Sequence, residues 1–83
     1  MRRNNVYYVE KFTKDYEDVE FFGTYLDKDK ACELAREKWK SLSDEDKNNF
    51  VVSVSKYACE WNDNIDYRDE KFICNIVSYG DDD

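Results

Sequence analysis

"DKDKACELAREKWKSL" (residues 27–42) decides the architecture, because its apolar residues keep a helical period. Ala31, Leu34, Ala35, Trp39 and Leu42 recur at helical spacing and form a single stripe. Lys28, Glu33, Arg36, Glu37 and Lys40 fall on the other side, an ordinary solvated face. Asp27 stands where an N-cap belongs, with a carboxylate that accepts an orphan backbone N–H. Small alanines near the start and Trp39 near the end predict close approach to a neighbouring layer at one end only. Ser43 with Asp46 three residues later resembles a capping box, so "SDEDKNN" (43–49) adds a short helical turn.

Outward from this helix the chain reads as strands. "VYYVEKFT" (6–13) is β-branched and aromatic, "VEFFGTYL" (19–26) alternates, and the polar "KDYED" (14–18) joins them as a hairpin. Alternation places Val19, Phe21, Gly23 and Tyr25 on one face, where Gly23 admits a bulky neighbour, the helix, close above it. "FVVSVSKYACEW" (50–61) is a third strand with a change of phase. Val52 and Val54 share a face while Tyr57, Cys59 and Trp61 take the other, which predicts a bulge or twist near Lys56. "KFICNIVSY" (71–79) is the fourth, with Phe72, Cys74 and Ile76 opposite Ile73, Val77 and Tyr79.

The order is therefore β-β-α-β-β. This is an α+β fold: one compact domain over residues 1–83, a four-stranded antiparallel sheet with one amphipathic helix packed on one face. A single helix leaves the second face open. Phe22 and Leu26, and Ile73, Val77 and Tyr79, then have no evident burial place, and that surplus points to an interaction surface.

The totals agree with a small folded module. Its 83 residues are 41% hydrophobic and 17% aromatic, with no Pro and two Gly, whereas acidic disordered chains are poor in aromatics. Net charge is −7 and unevenly spread. Residues 1–57 carry 12 acids and 11 bases, a net of −1, whereas residues 58–83 carry 8 acids and 2 bases, a net of −6. Such a field repels nucleic acid and attracts basic protein surfaces. The three cysteines, Cys32, Cys59 and Cys74, are odd in number and widely spaced. With no secretory apolar region and no membrane-length apolar run, they fit reduced thiols in a cytoplasm.

Most catalytic chemistry lacks its parts. The absence of His removes the commonest general base and the Cys–His and Ser–His nucleophile pairs. Gly23 and Gly80 cannot make a phosphate-cradling loop. A domain of this size also offers little concavity for a substrate, so the expectation is no enzyme and no cofactor. Three thiols and a carboxylate could ligate zinc, but no CxxC pair exists, and buried cysteine behaves as a small hydrophobe. Asn62, Asp63, Asn64 and Asp66 lack the glycine and spacing of a calcium loop.

The connector between strands three and four, "EWNDNIDYRDE" (60–70), is the candidate site. Its acids are Glu60, Asp63, Asp66, Asp69 and Glu70, interleaved with Trp61, Ile65 and Tyr67. Carboxylates at such spacing imitate phosphates, and Trp and Tyr are typical interface anchors. Glu60, Trp61, Asp63, Asp66, Tyr67, Asp69 and Glu70 are the expected partner-binding residues. The competing reading is an acidic solvated connector that keeps a small protein soluble.

Residues 23–54 carry a resemblance. Gly23, Tyr25, Ala31, Trp39, Leu42, Ser43, Asp46 and Lys47 form a Gly-x-Tyr strand end, an Ala-bearing helix and a Trp-x-x-Leu-Ser element before a Val-rich strand. The run resembles small acidic proteins of phages and mobile elements of low-GC Gram-positive bacteria, some of which are anti-CRISPR proteins. The resemblance covers about two fifths of the chain and carries no binding residue. It implies a non-enzymatic inhibitor in a host cell's cytoplasm. The implied partner is a basic nucleic-acid-binding protein, a type II Cas effector nuclease, blocked through an acidic, DNA-mimicking surface. Two other classes compete with it. One is a metal-binding or structural protein, a homodimer joined through the open sheet face. The other is a nucleic-acid-binding module using Lys28, Lys30, Arg36, Lys38 and Lys40.

Overall fold

The computed structural model describes residues 2–62 and 67–80, with side chains at 5–60 and 69–80. Strands β1 (Arg2–Thr13), β2 (Val19–Tyr25), β3 (Phe50–Asn62) and β4 (Tyr67–Tyr79) form one antiparallel sheet in the order β2-β1-β3-β4. Helix α1 (Lys28–Lys40) and the short α2 (Asp44–Asn49) bridge β2 and β3. Each of these two strands runs antiparallel to β1, so they are parallel to each other with β1 between them. A connection of that kind has to cross the sheet, and the helix is what crosses.

The caps are those the sequence prescribes. Asp27 accepts from the backbone N–H groups of Asp29 and Lys30, and Ser43 Oγ accepts from that of Asp46. The predicted stripe faces the sheet. Ala31 and Ala35 are fully buried over Val9, Val52 and Val54, which are also at zero exposure. Small side chains on the helix let its backbone approach a valine floor, and each buried valine stabilises by roughly 1.5–3 kcal/mol. Leu34, Trp39 and Leu42 pack around the rim of this core.

Three bulges set which residues reach that core. On β2, Gly23 pairs with Val9 and Phe21 with Glu10, so Phe22 is an extra residue. Phe22 and Gly23 both belong to the helix side, and Val19 and Phe21 are turned to the open side. The alternation read along 19–25 is thus broken in the middle. Gly23 has φ +128, and a Cβ there would stand 3.2 Å from Tyr25 Oη, so the crowding neighbour is the Tyr25 ring rather than a helix. Along β3 the pairing with β1 is unbroken. The irregularity near Lys56 does exist, but its extra residues, Ile73 and Ile76, lie on β4. Tyr57 and Cys59 therefore keep the phase of Val51, Ser53 and Ser55.

That phase redistributes the apolar surplus. Phe22, Val77 and Tyr79 pack against the helix core, while Leu26 and Ile73 are exposed. The rings left on the open face are Tyr8, Phe12, Phe21, Tyr57 and Phe72. The larger correction concerns residues 60–70. Residues 60–62 and 67–70 are strand rather than connector: β3 runs to Asn62 and β4 begins at Tyr67, with Glu60 opposite Asp69 and Asn62 opposite Tyr67.

Candidate functional site

The open face carries a transverse row of rings. Phe21 on β2 meets Tyr8 on β1 edge-on at 5.6 Å, Tyr8 stacks on Tyr57 of β3 at 4.6 Å, and Tyr57 meets Phe72 of β4 edge-on at 5.5 Å. One side chain from each strand, in the order of the strands, makes an aromatic band across the whole sheet. Edge-to-face and offset contacts of this sort add about 0.5–1.5 kcal/mol each beyond burial. The band stays accessible even so: Phe21 is 55% and Phe72 56% exposed.

Beside the row lies a groove of about 510 Å³. Its floor is Val51, Ser53, Ser55, Asn75 and Ser78, and Tyr57 and Phe72 close one end. Phe12 and Tyr16 close the other, stacked at 4.7 Å and 8° from parallel. Tyr16 sits in the β1–β2 turn with φ 62, a left-handed conformation that a bulky residue rarely adopts. Glu10 also lines this groove, with Lys14 at its rim. Ser55 Oγ donates to Asn75 Oδ1 at 3.0 Å and holds the floor in order.

The acidic stretch meets this face at the far side of the row. Strand alternation divides its described carboxylates between two sides of the sheet. Glu70, opposite Cys59, shares the open side and accepts a hydrogen bond from the Tyr8 hydroxyl. Glu60 and Asp69 face each other across the β3–β4 pair on the other side. Like charges placed directly opposite destabilise a strand pair. Trp61 and Tyr67 contribute backbone to β3 and β4; their side chains, and Asp63 and Asp66, lie outside the described residues. The structure thus brings Glu60, Asp69 and Glu70 to one end of a hairpin but not to one surface.

Sequence reasoning missed Tyr8, Glu10, Phe12, Tyr16, Phe21, Tyr57 and Phe72 as a site. A partial signal was available: the even positions of 6–13 give Tyr8, Glu10 and Phe12 a common face. Nothing local aligns them with Tyr57 and Phe72.

Among the described residues, other chemistries find no assembled site. None of the three cysteines is in a disulfide; they are dispersed over α1, β3 and β4, and Cys59 is buried. Among the described residues no group of three or more His, Cys, Asp or Glu is placed to hold a metal ion. No helix of the described residues is long and apolar enough to cross a membrane. Comparison with protein-family models, with curated proteins and with solved structures gives no match.

Proposed function

We propose that this chain is a non-catalytic protein-binding module that lays the open face of its sheet against a basic partner. One observation carries the reading: the aromatic row Phe21, Tyr8, Tyr57, Phe72 on the side the helices leave uncovered. Interface anchors are large rings with little freedom left to lose, and neighbouring strands hold these four at fixed spacing. Charge selects the kind of partner. At −7 overall the chain favours encounter with basic protein and disfavours phosphate backbones.

The finer form of the proposal is an inhibitor in a host cell's cytoplasm, an anti-CRISPR protein that binds a type II Cas effector nuclease and blocks nucleic-acid entry. Its support is the net −6 of residues 58–83, which include Glu60, Asp63, Asp66, Asp69 and Glu70, and the resemblance of residues 23–54. The experiment is binding of wild type, Tyr57→Ser and Phe72→Ser to a purified type II Cas nuclease, in competition with guide RNA and target DNA. Wild type should bind and be displaced by nucleic acid, and both variants should bind more weakly. Failure of wild type to bind removes the Cas partner. Unchanged binding by both variants removes the open face as the docking surface.

A further inference from the structure

The groove beside the aromatic row holds a carboxylate that no cation among the described residues pairs with. Glu10 is half-buried between Tyr8 and Phe12 on β1, opposite Ser53. Among the described residues no cation lies within ion-pair distance of it, Lys14 at the rim included. Its neighbour Lys11 is turned to the other face, where it pairs with Glu20 at 3.4 Å. A carboxylate drawn partly out of water is stabilised by an opposite charge or by donors.

The rings repeat this asymmetry. On the helix side, Phe50 lies under Lys11, Phe22 under Lys38 and Trp39 under Lys47, at 4.6, 4.9 and 5.8 Å. Each of these faces is covered by the chain's own ammonium group. In the groove, no cation among the described residues covers Phe12, Tyr16, Tyr57 or Phe72. Tyr16 adds a second sign, because a turn position at φ 62 favours Gly or Asn, yet here it holds a ring at the groove's mouth.

We infer that the groove receives an arginine side chain from an extended segment of the partner, with the guanidinium on Glu10 and its flat face against Phe12. The inference rests on the open face being the protein-binding surface and names what that surface takes. The β3 positions from Val51 to Tyr57 span roughly 20 Å at about 3.3 Å per residue, room for a short extended peptide with arginine at its centre. Guanidinium fits better than ammonium. It is planar, stacks on aromatic rings, and offers five donors to the Glu10 carboxylate and the floor hydroxyls of Ser53 and Ser55. A nucleic-acid base would stack on the same rings, but its phosphates would meet Glu10 and the net −7.

The test is an NMR titration of the whole protein with the capped pentapeptide acetyl-Gly-Gly-Arg-Gly-Gly-amide and its lysine and glutamine counterparts. The arginine peptide should shift the amides of Glu10, Ser53 and Ser55 saturably. The lysine peptide should bind at least threefold more weakly, and the glutamine peptide not measurably. Glu10→Gln should weaken the arginine peptide about tenfold or more, the loss of a charge-assisted pair. Phe12→Leu, which keeps apolar volume without a flat face, should erase the preference for arginine over lysine. No saturable shift, equal binding by Glu10→Gln, or equal binding of the lysine peptide overturns the assignment. So does a single-stranded oligonucleotide that shifts the same amides. A partner lost by Phe72→Ser but held fully by Glu10→Gln also overturns it and leaves the docking surface standing. Arginine-peptide binding in a protein whose partner ignores Phe72→Ser supports the arginine site and removes the docking reading.

Discussion

The rings of Trp39 and Tyr79 lie stacked, centroids 6.0 Å apart and 19° from parallel, so the last turn of α1 is fastened to the last residue of β4. Gly80 follows immediately with φ +93, and a Cβ there would come within 2.6 Å of the Phe50 carbonyl oxygen and 3.0 Å of the Trp39 ring. Trp39→Ala should therefore cost about 3 kcal/mol, the low end for a large aromatic because Trp39 is only partly buried. In so small a domain that is a large share of total stability. Urea unfolding followed by far-ultraviolet dichroism measures it, and an unchanged midpoint would show that Trp39 holds nothing together.

Tyr16 should behave in the opposite sense. Replacing it with Asn relieves a left-handed backbone strain of about 1–2 kcal/mol and gives up an exposed stack on Phe12. The expected melting temperature is equal to or above wild type, with weaker partner binding. A clear loss of stability would make Tyr16 a structural residue.

The same turn sets a local pH response. Asp15 has its carboxyl held below the ordinary aspartate value by the Thr13 hydroxyl and by the Glu17 backbone N–H, which donates to Oδ1 at 3.1 Å. A depressed native value means the turn is favoured in full above the ordinary one and loosens as pH falls through the depressed one. Thr13→Val should raise the Asp15 midpoint in a carboxyl NMR titration. A midpoint that stays in place would assign the shift to Glu17 alone.

Reversing Asp63, Asp66 and Asp69 to Lys changes charge by +6, from −7 to −1. Under the proposed function this should weaken partner binding strongly at low salt and much less at high salt. Asp69→Lys also removes the like charge opposite Glu60, so the melting temperature, expected at or above wild type, serves as the control. A triple variant that binds as wild type across the salt series would make the hairpin end a solvated tip.

The helix and its caps were legible because their determinants are local: a 3.6-residue stripe, Asp27 and Ser43. The faces were less so. A bulge at Phe22 turns half of β2 over, and the two bulges at Ile76 and Ile73 invert only Cys74 and Asn75 between them before the phase of β4 is restored, with no marker in composition beyond Gly23. Residues 60–70 read as a connector because Asp and Asn are poor strand formers. The backbone ladders to β1, with Arg3 opposite Glu60, and along the β3–β4 pair carry the strands through regardless of that preference. The aromatic row was illegible for a deeper reason. Residues 8, 21, 57 and 72 share a line only through register, which is a property of the folded pairing and not of any window of sequence.

β1 is early in the chain and central in the sheet, and this dictates the order of assembly. The β1–β2 and β3–β4 pairs join strands that are close in sequence, but β1 joins β3 only between residues as distant as Thr13 with Phe50 and Arg2 with Trp61. Loop closure is slowest for such pairs, so their docking is the natural rate-limiting event. During synthesis the first hairpin must wait on the order of seconds with one edge of β1 unsatisfied, Tyr7, Tyr8 and Val9 included. That interval, rather than any weakness of the finished domain, is when this chain is most exposed to mispairing with its neighbours.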